Sequence, residues 1–338
     1  MKKVIFLLFC FVLSCLTLSC QYTITDKTED TIDQIKIEKI YDILKNESIN
    51  SIQLDFKYDK VGDYLYATKD EFSIKLFLDS FKLYDKYVEI NYKLYNTKKL
   101  YTGKTKYYLD EKNEAGILFS LDDYFPGNWE KYLPYFVGYD IKSTFFCIGD
   151  YARFGKFAET AIKDGMEIGY HTLHHNFFTN DTTQEELIAE AINPLEEFYE
   201  KGINITSFAF PGGKYSTWMI SYLLENSNYK FLRLFINSYS NYSIKQINEA
   251  KYFYSQAIDN QWFSSEDDFY NKINKYLLIT KITNTIWPCT THYILDEGEH
   301  LTGSYGDKYA ITKSNLLTLF SQVNYFNMKS YRYKDLSE

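Results

Sequence analysis

The sequence predicts an α/β fold: a (β/α) barrel, distorted or incomplete, of about seven strands, behind a small N-terminal accessory region. Two observations carry this. From Ala115 onward, short apolar runs alternate with segments of helical spacing, the pattern of a mostly parallel sheet covered by helices. The residues with reactive side chains also fall at the ends of those apolar runs, where barrel enzymes gather their chemistry.

The first element is a leader. "MKKVIFLLFCFVLSCLTLSC" has a basic start, Lys2 and Lys3, then an apolar run from Val4 to Leu18 that is short for a bilayer-spanning helix. Positions 1–20 therefore read as a secretory signal peptide. The ending "TLSC" resembles a bacterial lipoprotein processing site in which Cys20 is lipidated, with Cys15 as the competing site. Residues 21–35 are polar and charged, as suits a tether. Residues 36–112 open on a helical pattern, "IEKIYDIL", and continue with alternating runs such as "VEINYKLY", an α+β region with no chemical motif.

The barrel is expected over residues 113–338. Its strand candidates are "GILFSL" (116–121), "KSTFFCIG" (142–149), "MEIGYH" (166–171), "ITSFAF" (205–210), "KFLRLFI" (230–236) and "TIWPCTTHYI" (285–294). Between them, 128–139 has helical spacing that Pro134 is expected to end or kink, and 153–165 is a helix stopped by Gly165. Residues 181–202 open on a good N-cap and an acidic first turn. Further helices are expected near 215–226, 266–277 and 313–326.

Composition narrows the partners. A net charge of -8 with no basic patch argues against nucleic acid, and leaves small molecules, glycans and proteins open. The 34 tyrosines reflect a compositional bias and say little about sugar binding. Cys147 and Cys289, the two cysteines outside the leader, lie in apolar strand-like segments and read as buried free thiols.

Reactive residues terminate four of the predicted strands: Asp122 and Asp123 the first, His171 and His175 the third, "FPGG" (211–213 after Phe210) the fourth, and His292 the last. Singly, none is diagnostic. Jointly they suit a metal site. Two imidazoles and one carboxylate, Asp123, form a three-ligand set for zinc with positions left open for water and substrate. His171 and His175 are four apart, so one helical turn after the strand would bring both to one side. Asp122 is then free to act as general base.

From about Gly116 to the C-terminus these residues resemble the polysaccharide deacetylases of carbohydrate esterase family 4. The segment starting "FSLDDYFPGNWEKYL" resembles the family's first motif. "HTLHH" (171–175) resembles the second, H-[ST]-x-x-H; "SFAFPGGKYS" is similar to a variant third motif, and "PCTTHYI" to the fifth. The resemblance implies that Asp122 is the catalytic base and that Asp123, His171 and His175 hold a divalent metal, zinc first, with cobalt or nickel as alternatives. It further implies that His292 protonates the leaving amine and that the Gly212 N–H helps hold the oxyanion. Thr172 fills the motif's Ser/Thr place; His174 has no family role and reads as a bystander. The implied reaction is attack of a metal-activated water on an acetamide of an N-acetylhexosamine glycan.

Two departures stand out. The third motif's arginine, which orients the catalytic aspartate in the family, is replaced by Ala209. The fourth motif's aspartate and tryptophan have only Asp259 and Trp262 in the right region, at a spacing that is not the family's. Without an orienting carboxylate His292 would be a poorer acid. These departures motivate an alternative, a catalytically inactive glycan-binding or envelope-scaffold lipoprotein on the same fold; a deacetylase of a non-glycan amide or an O-acetyl ester is another. In each case the expected setting is the same: an exported, lipid-anchored protein of the bacterial cell envelope that touches the membrane through its anchor only.

Overall fold

A computed structural model describes residues 36–69, 72–95, 100–109, 113–303 and 306–337. The leader, the tether and Cys20 lie outside the described residues. No described helix is long and apolar enough to cross a membrane. The chain divides into two compact units, Met1–Glu111 and Lys112–Glu338.

The first unit carries a helix over residues 36–46 (α1) and a five-stranded antiparallel meander in sequence order. Its strands are β1 (Asp55–Asp59), β2 (Tyr64–Lys69), β3 (Phe72–Leu83), β4 (Tyr87–Tyr95) and β5 (Leu100–Tyr108). In β4 the period-2 pattern read from "VEINYKLY" places Val88, Ile90, Tyr92 and Leu94 on the buried face. Helix α1 supplies Ile37, Ile40 and Leu44 to that core, and its Tyr41 ring lies 5.1 Å from Tyr101 of β5.

The second unit is the barrel. Seven parallel strands run in chain order: β6 (Gly116–Asp123), β7 (Thr144–Cys147), β8 (Glu167–Tyr170), β9 (Ser207–Ala209), β10 (Phe231–Ile236), β11 (Tyr252–Ala257) and β12 (Ile286–Thr291). Pairing of β12 with β6 over six residues closes the ring. Every residue of β6, β7, β8, β9 and β12 is buried, as parallel strands covered on both faces should be. The seam between β8 and β9 is thin, with Tyr170 opposite Phe208. Neighbouring side chains leave no room for one on Gly169 of β8, where a Cβ would lie 2.4 Å from the Phe146 ring and 2.8 Å from the Ser207 hydroxyl.

Four sequence expectations need correction. Strand β11 and the helix before it, α7 (Ile244–Ala250), stand in a stretch to which the sequence assigned neither. Pro134 does not end its helix: α2 (Pro126–Gly138) runs through it and buries Trp129, Tyr132, Leu133 and Phe136. The expected strand 285–294 is two strands. β12 stops before His292, and β13 (Tyr293–Leu295) leaves to pair with β14 (Ala310–Thr312). The acidic helix 181–202 is likewise divided, into α4 (Gln184–Ala191) and α5 (Glu196–Glu200), across the Asn193–Leu195 turn that contains Pro194.

The lower end of the barrel is plugged by the C-terminal turn Tyr333–Ser337. Tyr333 and Leu336 join Leu118, Phe146, Phe231 and Phe253 in the core, with the Tyr333 ring edge-on to Phe146 at 4.9 Å. The buried Glu167 anchors this turn by accepting from the Lys334 N–H, Thr144 and Ser207. The upper end is left to the strand C-termini.

Candidate active site

The barrel register sets the site. β6 ends with Asp122 opposite Phe146 and Asp123 opposite Cys147. On its other side Thr291 pairs with Leu121, so His292, one residue on, arrives level with Asp122. The strand ends open onto one cavity of about 380 Å³, which Asp122, Asp123, His171, His175, Gly212, Arg233, Asp259 and His292 line together.

Asp123, His171 and His175 converge, with their donor atoms all within 4.8 Å of one another. His171 Nε2 lies 3.6 Å and His175 Nε2 3.2 Å from the same oxygen, Asp123 Oδ1. His171 Nδ1 is 2.7 Å from the Ala209 carbonyl. A carbonyl only accepts, so Nδ1 carries the proton and Nε2 presents a lone pair. Burial also lowers the His171 pKa to about 4, against the pull of Asp122 and Asp123, which keeps the ring neutral. The His171 lone pair and His175 Nε2 therefore converge on a buried carboxylate oxygen that has no hydrogen-bond partner. A divalent cation is the species that relieves such an arrangement, and the N₂O donor set suits zinc.

The loop that carries the histidines is not the helical turn expected from the four-residue spacing. After β8 it folds as a left-handed turn, with Thr172 at φ 73° and His175 at φ 62°. Asp123 is also left-handed, at φ 87°, so three of the eight described non-glycine residues with positive φ are at this site. A β-branched residue rarely adopts that conformation, and each such residue costs about 1–3 kcal/mol. The surroundings hold it: Thr172 Oγ1 accepts from the His175 N–H at 2.9 Å. Glu190 of α4 accepts from the His174 N–H (3.0 Å), from Asn176 Nδ2 (2.9 Å) and lies 2.8 Å from His174 Nδ1. His174 is thus outside the cluster, as expected, but it fastens the loop rather than standing idle.

Asp122 is buried and pairs with Arg233, Nη2 to Oδ2 at 2.6 Å. Burial alone would raise its pKa. Arg233 first, then His171 and His292, outweigh that and hold the carboxyl below its usual range. Its other oxygen, Oδ1, has no hydrogen-bond partner and is available to accept a proton. Arg233 lies on β10, directly opposite Ala209 of β9. The guanidinium missing at Ala209 is therefore supplied by the adjacent strand at the same level. Its sequence signal is the single charged residue within the strand "FLRLFI" (231–236).

The second departure is also filled. Asp259, fully buried two residues past the end of β11, faces His292 Nδ1 at 3.1 and 3.2 Å and accepts from Thr291 Oγ1 at 2.7 Å. Burial would lower the His292 pKa, but Asp259, with help from Asp123 and Asp122, raises it to about 10. The pairing occupies Nδ1 and leaves Nε2 as the nitrogen that can exchange a proton. Trp262 does not line the cavity; Gln261 and Tyr309 do, and neither was singled out from the sequence. Gly212 (φ 55°) and Gly213 (φ 65°) shape the turn after β9, where a Cβ on Gly213 would lie 2.6 Å from Phe235.

No curated protein matches the sequence significantly. Solved structures that resemble it include a T48 deacetylase with substrate, at 16% identity and TM-score 0.42 over 66% of this chain and 90% of that one. Peptidoglycan deacetylase PdaC from Bacillus subtilis gives 15% identity and TM-score 0.41, over 67% and 91%. A family 4 carbohydrate esterase from Streptomyces lividans in complex with acetate gives 12% and 0.42, over 65% and 93%. Residues 110–231, which include Asp122, Asp123, His171, His175 and Gly212 but stop short of Arg233, Asp259 and His292, match the family model for polysaccharide deacetylase.

Proposed function

We propose that the barrel is a metal-dependent hydrolase that removes N-acetyl groups from an N-acetylhexosamine-containing polysaccharide of the cell envelope or its surroundings. One observation carries this reading: a carboxylate held by Arg233 and an imidazole held by Asp259 face one cavity beside the converging Asp123, His171 and His175. The match of residues 110–231 to the polysaccharide deacetylase model supports the acetamide as the bond attacked.

In this reading Asp123, His171 and His175 hold the cation. Zinc is the first candidate and cobalt or nickel the alternatives. When bound, the cation supplies Lewis acidity at the acetyl carbonyl. Asp122 Oδ1 takes a proton from the attacking water, whose oxygen bonds to the carbonyl carbon. The Gly212 N–H faces the oxygen on which negative charge develops. The C–N bond then breaks as His292 Nε2 gives its proton to the departing nitrogen, leaving acetate and a free amino sugar.

A silent scaffold was motivated by the missing arginine and carboxylate. Arg233 and Asp259 occupy both roles, and the enzyme reading is therefore the stronger. The test is a zinc-replete screen of peptidoglycan, poly-N-acetylglucosamine and chitin-type oligomers, with an acetylated non-glycan amide and an O-acetyl ester alongside, read by loss of acetyl mass. Loss from a glycan is expected. Loss from the non-glycan substrates alone would reassign the substrate, and loss from none would remove the hydrolase.

The leader completes the proposal: the mature protein is exported and anchored by a lipid on Cys20. Mass analysis of the N-terminus should find the lipid in the wild type and in Cys15→Ala but not in Cys20→Ala.

A further inference from the structure

The cavity is polar at its buried end and aromatic at its mouth. Asp122, Asp123, His171 and Arg233 are each no more than 3% exposed, whereas Phe177 is 58% exposed, the most of any large hydrophobic side chain described in the barrel unit. A lone exposed apolar residue is ordinary. This one stands at the entrance of the cavity. Its ring stands edge-on to the metal-loop His175 at 5.5 Å and lies 3.1 Å from where a Cβ on Gly212 would be. It is therefore flanked by a predicted metal ligand and the predicted oxyanion glycine. Tyr309 stands beside the acid in the same way, its ring 5.8 Å from that of His292. Whatever carries an acetamide into the buried end must pass these rings. A volume of about 380 Å³ is more than an acetamide fills and accommodates one further ring.

We propose that Phe177 is a stacking platform for the pyranose that bears the scissile acetamide, and hence a specificity-determining residue; this rests on the deacetylase reading above. A pyranose offers a C–H face to an aromatic ring and keeps its hydroxyls at the edge for water and polar groups, of which Gln261 lines this cavity. The ring already stands against His175 at the mouth, so a sugar entering the cavity meets it without a rearrangement of the loop. An acetylated lysine side chain could also pass between aromatic walls, but it offers no flat face to the platform.

The test compares zinc-loaded wild type, Phe177→Ala and Phe177→Tyr on an N-acetylglucosamine oligomer, an acetyl-lysine peptide and a small acetyl ester without a ring. Bound zinc is measured for each, and oligomer affinity is measured directly by calorimetry. We expect Phe177→Ala to raise KM and weaken oligomer binding by roughly tenfold, to lose more on the oligomer than on the ester, and to keep its zinc. Phe177→Tyr should recover the loss. Unchanged oligomer affinity, or parallel loss on oligomer and ester, would overturn the platform, as would a wild type that prefers the peptide. If the wild type hydrolyses nothing, the functional reading fails, while the calorimetric comparison still decides the role of Phe177.

Discussion

Arg233 is the residue whose role the sequence concealed most completely. It lies in an apolar strand, two residues past the segment that matches the family model, yet its guanidinium bonds the buried Asp122 carboxylate. A sequence motif records positions along one strand; a barrel can supply the same group from the next strand when the register brings it level. The Ala209–Arg233 pairing does this. Replacing Arg233 with Ala leaves a buried charge unpaired and should cost about 3–5 kcal/mol of stability, measured by denaturant unfolding, as well as most of kcat. Moving the group back, in Ala209→Arg combined with Arg233→Ala, should restore part of both, because the two side chains are neighbours. Asp259 makes a different prediction. His292 must be protonated to act as an acid, so its rate limb falls as pH rises through its pKa, which Asp259 holds near 10. Asp259→Asn should move the alkaline limb of the kcat profile to lower pH; a profile that stays in place would detach Asp259 from the acid.

At the scale of elements, the strands and most helices follow from apolar runs and caps, and the four strand ends that line the cavity are legible for that reason. The missed β11 reads "YFYSQA", half polar, and only its Phe253, Ser255, Gln256 and Ala257 are buried. Its interior polar residues, not its hydrophobicity, mark it as a barrel strand, and periodicity does not report that. The metal loop was misread for a related reason. Spacing put His171 and His175 on one side, but the left-handed turn that achieves this depends on Glu190, whose effect is visible only once α4 is packed against the loop. Glu190→Ala should weaken zinc binding by about 10–100-fold in a chelator competition, the usual cost of losing an outer support. Glu190→Gln keeps one acceptor oxygen and should lose less.

For the whole molecule, the two compact units each bury a core of their own, and every residue assigned to the site belongs to the second. A chain of residues 112–338 should therefore fold cooperatively and bind zinc with the affinity of the full protein; a tenfold or greater loss would give the first unit a part in the site. Within the barrel unit, the proposed base of a metal-dependent deacetylation is the buried Asp122 carboxylate. Its most direct test is acetate release from the best glycan of the screen by zinc-loaded wild type and Asp122→Asn. Acetate should accumulate with the wild type, stop on chelation, return with zinc, and fall by about 10²–10⁴-fold in Asp122→Asn although zinc stays bound. Equal rates for the two proteins, or no acetate from the fully loaded wild type, would contradict it.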